Sequence, residues 1–347
     1  MSTSPRSLPT EEWPAADRDA WHKACRRGSR FAPGRPASRL ADVSRADYAN
    51  RYGAFFGFLQ RTRRLDIATE AGGQINPANV EAYLADLKGR VSTGSAYNAV
   101  SKLRRVGKII APAIDWKWLN ELEQDLRLVA TPRPKFDRLV MTDRLVEAGL
   151  TLMVESNTFA HTPVARAKGI RNGLMIAILA VCPIRLKNFA ALEIGRTFRE
   201  IEGSWWIVLP AKDTKTRRAD ERRLPGFLKT YIDLYLSQAR PVLFRPNAPT
   251  NDFWLSTVSG RPMLKKAIGT LVSKITLETL GVDVSPHLFR TAAASTAATY
   301  GGSLPHLASA LLNHTDPRIT EEHYNRASSM SAAETFADIV GTYTNTT

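Results

Sequence analysis

Residues 130–140, ATPRPKFDRLV, place two prolines and three basic residues between two stretches of helical periodicity. Proline fixes φ, removes an amide donor and pushes the residue before it toward extended backbone, so no regular helix passes through this stretch. The segment therefore predicts a linker that divides the chain into two folding units. With 347 residues in all, each unit is long enough to bury a core of its own.

Before the linker every local signal is helical. Tyr48, Tyr52, Phe55, Phe56 and Leu59 recur at the spacing of one helix face. Asn76-Pro77 supplies a cap and a first-turn proline ahead of Val80, Tyr83, Leu84 and Leu87. Helices over residues 95–110 and 116–128 complete a four-helix unit spanning 41–129. Residues 1–40, rich in Pro, Arg and Ser, read as an N-terminal extension with one short helix near 13–27, either partly disordered or an arm that lies on a polyanion. After the linker, residues 141–347 are mixed. Helices are expected at 142–155, 163–181, 227–240, 264–280, 286–300, 304–312 and 317–326. Strands are expected at 196–201 and 204–209, joined by Glu202-Gly203, with 222–224 pairing back as a third. The expected fold class is mainly α with a small antiparallel sheet, α+β.

Charge narrows the function. The chain carries +15, and both halves share it: residues 1–130 hold 21 basic and 14 acidic side chains, residues 131–347 hold 27 and 19. Two basic units suit a protein that grips a nucleic acid from two sides. Charge alone does not separate this from a ribosome-associated RNA-binding protein, a membrane-surface protein or a basic soluble one. No apolar run reaches the ~18 residues of a transmembrane helix; the longest, residues 173–184, stops at Arg185. The N-terminus has no apolar core of a secretory signal, and Cys25 and Cys182 are too far apart in sequence to read as a disulfide framework or metal site. A cytoplasmic, membrane-free protein with no cofactor is expected.

Four stretches carry groups suited to chemistry on phosphate. In SPHLFRTAAAS, Ser285 and Pro286 open a helix that puts His287 and Arg290 on one face, a natural phosphate site near a helix N-terminus; a solvated helix start would read the same. In LLNHTDPRITEEHYNRA, a helix restarted at Asp316-Pro317 brings Tyr324 back toward His314; an amphipathic core tyrosine fits equally well. In AVCPIRLKNFAAL, an apolar helix ends at Cys182-Pro183 and Arg185 follows in a turn, where a structural ion pair or a bound phosphate satisfies its charge. In the segment 208–225, six of the twelve residues 212–223 are basic, as in a solvated hairpin tip or one that reaches into a DNA groove.

In chain order these groups are Arg, Lys, His-x-x-Arg, His and Tyr, and the set resembles the catalytic domain of the tyrosine recombinases, the phage integrase family. Arg185 is similar to the family's first arginine, Lys215 in PAKDTKTRR to its β-hairpin lysine, His287 and Arg290 to its HxxR pair, His314 in LLNH to the histidine that follows, and Tyr324 to its nucleophile, ten residues after His314. The likeness covers about residues 140–330, and the preceding helical unit resembles the family's SAM-like core-binding domain in size, helix count and basic character. Pro183 stands where a glycine is usual, Asn188 where a glutamate is common and Asn313 where a glycine precedes the histidine; none of these removes a reacting group. Lys212 competes with Lys215 for the hairpin role.

The resemblance implies an enzyme that cuts and rejoins DNA without metal or ATP. Arg185, Arg290 and His314 would hold the phosphate, His287 would act as base, Lys215 would protonate the leaving oxygen, and Tyr324 would form a 3′-phosphotyrosine link. It also implies double-stranded DNA as partner, a homo-tetramer on paired sites, accessory DNA-bending or directionality proteins, and integration or excision of a mobile element. DNA contacts are expected from Lys102, Arg104, Arg105, Lys108, Lys212, Arg217 and Arg218. Ala333, Phe336, Ile339 and Val340 form a terminal helical stripe that docks on a neighbouring protomer or folds back on its own domain. The competing readings are a type IB topoisomerase, which shares this residue logic, and a DNA-binding protein of the same fold without catalysis.

Overall fold

The computed structural model describes residues 7–28, 36–131, 136–215, 217–245 and 250–300. The chain separates into two compact units, Met1–Pro134 and Lys135–Thr347, divided within the proline-bearing stretch.

The first unit comprises α1 (Ala15–Cys25), α2 (Asp42–Arg61), α3 (Pro77–Leu87), α4 (Thr93–Ile110) and α5 (Lys117–Val129). Local chemistry sets the helix starts. The Asn76 side chain accepts from the Asn79 amide at 3.0 Å with Pro77 in the first turn, and Ser92 accepts from the Ser95 amide at 3.3 Å ahead of α4. The core is aromatic: Tyr52, Phe55 and Phe56 are fully buried, and Tyr83 meets Phe55 edge-on at 5.3 Å.

The segment before residue 40, expected as an extension, contributes to this core. Leu8, Trp13 and Trp21 are buried, and Trp13 meets the Tyr52 ring edge-on at 5.1 Å. The buried Asp17 carboxylate accepts from the Tyr52 hydroxyl at 2.6 Å and from the Gly72 amide at 2.9 Å. Burial raises the Asp17 pKa, and those two hydrogen bonds oppose the rise.

The second unit holds α6 (Thr142–Phe159), α7 (Pro163–Val181), α8 (Leu186–Ala190), the strands β1 (Phe198–Ile201), β2 (Ser204–Leu209) and β3 (Asp220–Arg223), then α9 (Lys229–Leu234), α10 (Arg240–Leu243), α11 (Lys265–Leu280) and α12 (Pro286–Tyr300). The sheet is antiparallel in the order β1-β2-β3. Glu202 and Gly203 close the first hairpin with φ of 48° and 71°, the signs that a tight two-residue hairpin turn requires. Strand β3 begins two residues before the expected 222. A π-helical turn, Tyr235–Ala239, joins α9 to α10 where one regular helix was expected. The helices expected at 304–312 and 317–326 lie outside the described residues.

Helix α7 runs through the core of this unit, with Ile170 and most of the residues from Leu174 to Ala180 fully buried. Helix α6 crosses it backbone to backbone. A Cβ added at Gly149 would lie 2.7 Å from the Gly173 carbonyl oxygen, and one added at Gly173 would collide with the Gly149 carbonyl. This contact fixes the line of α7 and so the place where it ends, at Cys182-Pro183. Gly173→Ala is expected to lower unfolding free energy by about 1–3 kcal/mol, measured by denaturant titration. A midpoint equal to wild type would show that the two helices are not held at this separation.

Candidate active site

Helix α7 stops because Pro183 cannot continue its ladder. The Cys182 amide makes the closing bond to the Ile178 carbonyl at 2.8 Å, and Pro183 follows with its carbonyl outside the helical pattern. Arg185 comes next as the N-cap residue of α8; its own carbonyl accepts from the Asn188 and Phe189 amides at 2.8 and 3.0 Å. Its side chain is half-buried.

Helix α12 carries the His-x-x-Arg pair. Pro286 stands in the first turn and the Leu288 amide reaches the Ser285 carbonyl at 2.8 Å. Leu288, Phe289 and Ala292 enter the core, which leaves His287 exposed and Arg290 only 8% exposed. The Arg290 guanidinium donates through Nη1 to the carbonyl of Pro183. Two groups more than a hundred residues apart in sequence are thus brought to one turn. Burial, and then the nearby positive charges of Arg185 and Arg222, push the Arg290 pKa down to about 10, while Asp220 acts in the opposite direction.

Strand β3 adds two groups that the sequence reading passed over as part of a solvated charge run. Arg222 bridges Asp220 with Nε–Oδ1 at 2.8 Å and Nη2–Oδ2 at 2.9 Å. Their side chains are 12% and 15% exposed. Arg222 also lies close to the Cys182 thiol, and each acts on the other's ionisation. Burial pushes that thiol up to about 12, and Arg222 partly counters the shift. The period-two alternation of a strand was the available signal: Asp220 and Arg222 face inward, while Glu221 and Arg223 are exposed.

The β2–β3 connection holds the lysine candidates. The Thr214 hydroxyl accepts from the Arg218 amide at 3.1 Å and lies 2.7 Å from the Arg218 carbonyl, closing the tip. At the base, Asp213 pairs with Arg196 at 3.0 Å, and Arg196 forks onto Glu193 at 2.6 Å. Lys212, Lys215, Arg217 and Arg218 are exposed. Among the described residues, no hydrogen bond ties Lys212 or Lys215 to the arginine cluster. His314 and Tyr324 lie outside the described residues.

In the first unit the basic residues of α4 divide into two kinds. Lys102 pairs with Asp47 at 2.7 Å and lies over the Tyr48 ring, and Arg104 pairs with Glu123. Burial opposes the charge on Glu123, but hydrogen bonds from Arg104 and Ser101 hold its pKa below the usual carboxylate value. Arg105 is exposed and reaches the Tyr48 hydroxyl at 3.3 Å, and Lys108 is exposed beside a cavity of about 580 Å³ lined by Trp116 and Lys117.

The phage integrase family model matches residues 151–330. That interval takes in the α7 turn, the hairpin, α12 and the positions of His314 and Tyr324. No curated protein matches in sequence. Among solved structures, the pre-cleavage complex of the XerH site-specific recombinase bound to difH substrate aligns with a TM-score of 0.55 at 16% identity, covering 84% of this chain and 79% of that one. The XerA recombinase crystal structure aligns with a TM-score of 0.42 at 15% identity, covering 86% and 93%. The helical chain with its small three-stranded antiparallel sheet has the fold of the tyrosine recombinases.

Three outcomes are expected. Arg290 holds its proton less tightly in the folded protein than in the unfolded chain, so its charge opposes folding below about pH 10. A bound oxyanion reverses that. Sulfate at constant ionic strength should therefore raise the melting temperature well below pH 10, less as pH passes 10, and not in Arg290→Gln; an equal rise in that variant contradicts anion binding here. Separately, Arg104→Ala leaves Glu123 without its ion-pair partner and should cost about 3–5 kcal/mol of stability. Lys108→Ala should leave unfolding unchanged and, if α4 contacts DNA, reduce the salt slope of binding by about 1.

Proposed function

The chain belongs to the phage integrase family, and on that premise we propose that it is a site-specific tyrosine recombinase that breaks and rejoins double-stranded DNA through a 3′-phosphotyrosine link to Tyr324. The observation that carries this reading is the Arg290 contact to the Pro183 carbonyl, two residues before Arg185. A phosphodiester resists attack because its anion repels nucleophiles and its transition state gathers further charge on the non-bridging oxygens. Two guanidiniums at one turn are suited to neutralise that charge with fixed, directed donors.

In this reading Arg185 and Arg290 hold the scissile phosphate and His314 adds a further donor. Tyr324 is a weak nucleophile at neutral pH, with a reference pKa of about 10, so it needs a base. His287, one helical turn from Arg290, takes the phenolic proton directly or through a water. The tyrosine oxygen bonds to phosphorus as the bond to the 5′-oxygen breaks, and Lys215 at the hairpin tip gives that oxygen its proton. The phosphotyrosine keeps the energy of the phosphodiester, and a 5′-hydroxyl from a partner strand reverses the step. The scheme calls for neither a metal ion nor ATP, since the arginines meet the charge and the covalent link conserves the bond.

Strand exchange between two sites requires four such centres, so a homo-tetramer on paired DNA sites follows from the chemistry. Lys212, Arg217 and Arg218 at the hairpin, and Arg105 and Lys108 on α4, are proposed to contact the backbone. Integration or excision of a mobile element, with accessory DNA-bending proteins, is the proposed setting. The DNA-bound state of the XerH relative supports a duplex partner.

A randomised pool of nicked duplexes, in which cleavage releases a short fragment and traps the adduct, should yield a covalent complex with the wild-type chain and none with Tyr324→Phe. Arg290→Ala is expected to slow capture about 10²–10³-fold. An adduct that persists in Tyr324→Phe would sink this reading. Relaxation of supercoiled plasmid without a site would favour a topoisomerase instead.

A further inference from the structure

Three arginines gather at residues 182–185. Arg185 belongs to that turn, Arg290 donates to its Pro183 carbonyl, and Arg222 lies close to its Cys182 thiol. Three cations so placed repel one another, and any two of them would already suffice to hold a small anion. The third is set there by a two-point fork onto Asp220, at 2.8 and 2.9 Å, with both side chains turned inward from β3. The charged groups acting on Arg290 are Arg185 from the turn and Arg222 and Asp220 from the strand, with the Cys182 thiol beside Arg222.

An ion pair that served only to fasten β3 would do so anywhere along the strand. This one is joined to the turn that positions both candidate phosphate-binding arginines, and its carboxylate is the group that offsets their mutual repulsion. We propose that Arg222 and Asp220 are positioning residues for DNA cleavage: Arg222 fixes the turn that bears Arg185 and anchors Arg290, and Asp220 keeps three guanidiniums close enough to act on one phosphate. The inference rests on the recombinase reading above. It assigns the strand after the hairpin a part in cleavage separate from that of the lysine at its tip.

The two residues have opposite electrostatic effects on Arg290, which makes them testable apart from folding. Asp220 helps Arg290 keep its proton and Arg222 works against it. In the free enzyme the alkaline limb of kcat/KM reports ionisations of this kind. With the full-length chain on a captured nicked duplex, Asp220→Asn should move that limb to lower pH and Arg222→Gln should move it to higher pH. Each should slow single-turnover adduct formation about 10- to 100-fold, the scale of a small misplacement of reacting groups, with duplex affinity nearly unchanged. Arg222→Lys, which restores the charge, should return the limb to its wild-type position.

Limbs that coincide with wild type in folded Asp220→Asn and Arg222→Gln would overturn the proposal and leave the pair as a fastening of the sheet. Should either variant lose the wild-type melting curve, Asp220→Glu and Arg222→Lys decide instead. Both keep the charges but change the fork, so adduct formation at the wild-type rate in both overturns the proposal, and slowed formation with intact duplex binding supports it. Loss of the adduct in Tyr324→Phe and Arg290→Ala beside unmoved limbs defeats this inference alone. An adduct that survives Tyr324→Phe defeats the recombinase reading first.

Discussion

The Arg290 guanidinium on the Pro183 carbonyl is the contact from which the charge arrangement of the C-terminal unit follows. A buried guanidinium must spend its donors on acceptors, and a carbonyl just past a helix end is one of the few backbone acceptors without an assigned partner. Pro183 creates that acceptor by ending α7. The place where α7 ends is in turn set by its close crossing with α6, where Gly149 and Gly173 let the backbones touch. A glycine pair in the core and the buried Arg290 cation are therefore parts of one mechanical chain, although neither lies near the other in sequence.

The parts of this fold that were legible in the sequence are those with a local cause. Asn76-Pro77 marks a helix start because cap and proline act within one turn, Glu202-Gly203 marks a hairpin because only certain residues take its φ, and α7 declares itself by its unbroken apolar content. The parts that were not legible depend on partners brought from elsewhere. Trp13 lies ahead of α1 and packs on the Tyr52 and Phe56 rings of α2, partners that its own neighbours in the sequence do not announce. Lys102 and Arg104 lie on a basic helix face, yet which of them is committed depends on Asp47 and Glu123 arriving from α2 and α5. Arg185 and Arg290 could be paired from their order in the chain, whereas Arg222 was hidden by the charge run around it.

The basic side chains of the molecule thus fall into two physical populations. Arg290 is buried and Arg222 mostly so; both are oriented by hydrogen bonds and little affected by dissolved salt, and they act at short range and at fixed geometry. Lys108, Lys212, Lys215, Arg217 and Arg218 are exposed, screened and conformationally free. The second population suits attraction of a polyanion from a distance. The first suits discrimination at a single phosphate. A net charge of +15 counts both alike, which is why composition pointed toward nucleic acid without pointing to a site.

Cys182 gives this architecture a built-in reporter. Its sulfur is enclosed by the end of α7 and by Arg222, and its pKa near 12 leaves almost no thiolate at neutral pH. A thiol reagent reaches it only when the junction between the helix end and β3 opens, so its rate of labelling measures the local opening equilibrium in the way that amide exchange does. Cys25, half-buried in the other unit, is the second thiol of the chain and serves as an internal standard. The breathing of the arginine pocket, with and without DNA, is in this way accessible in the unmodified protein.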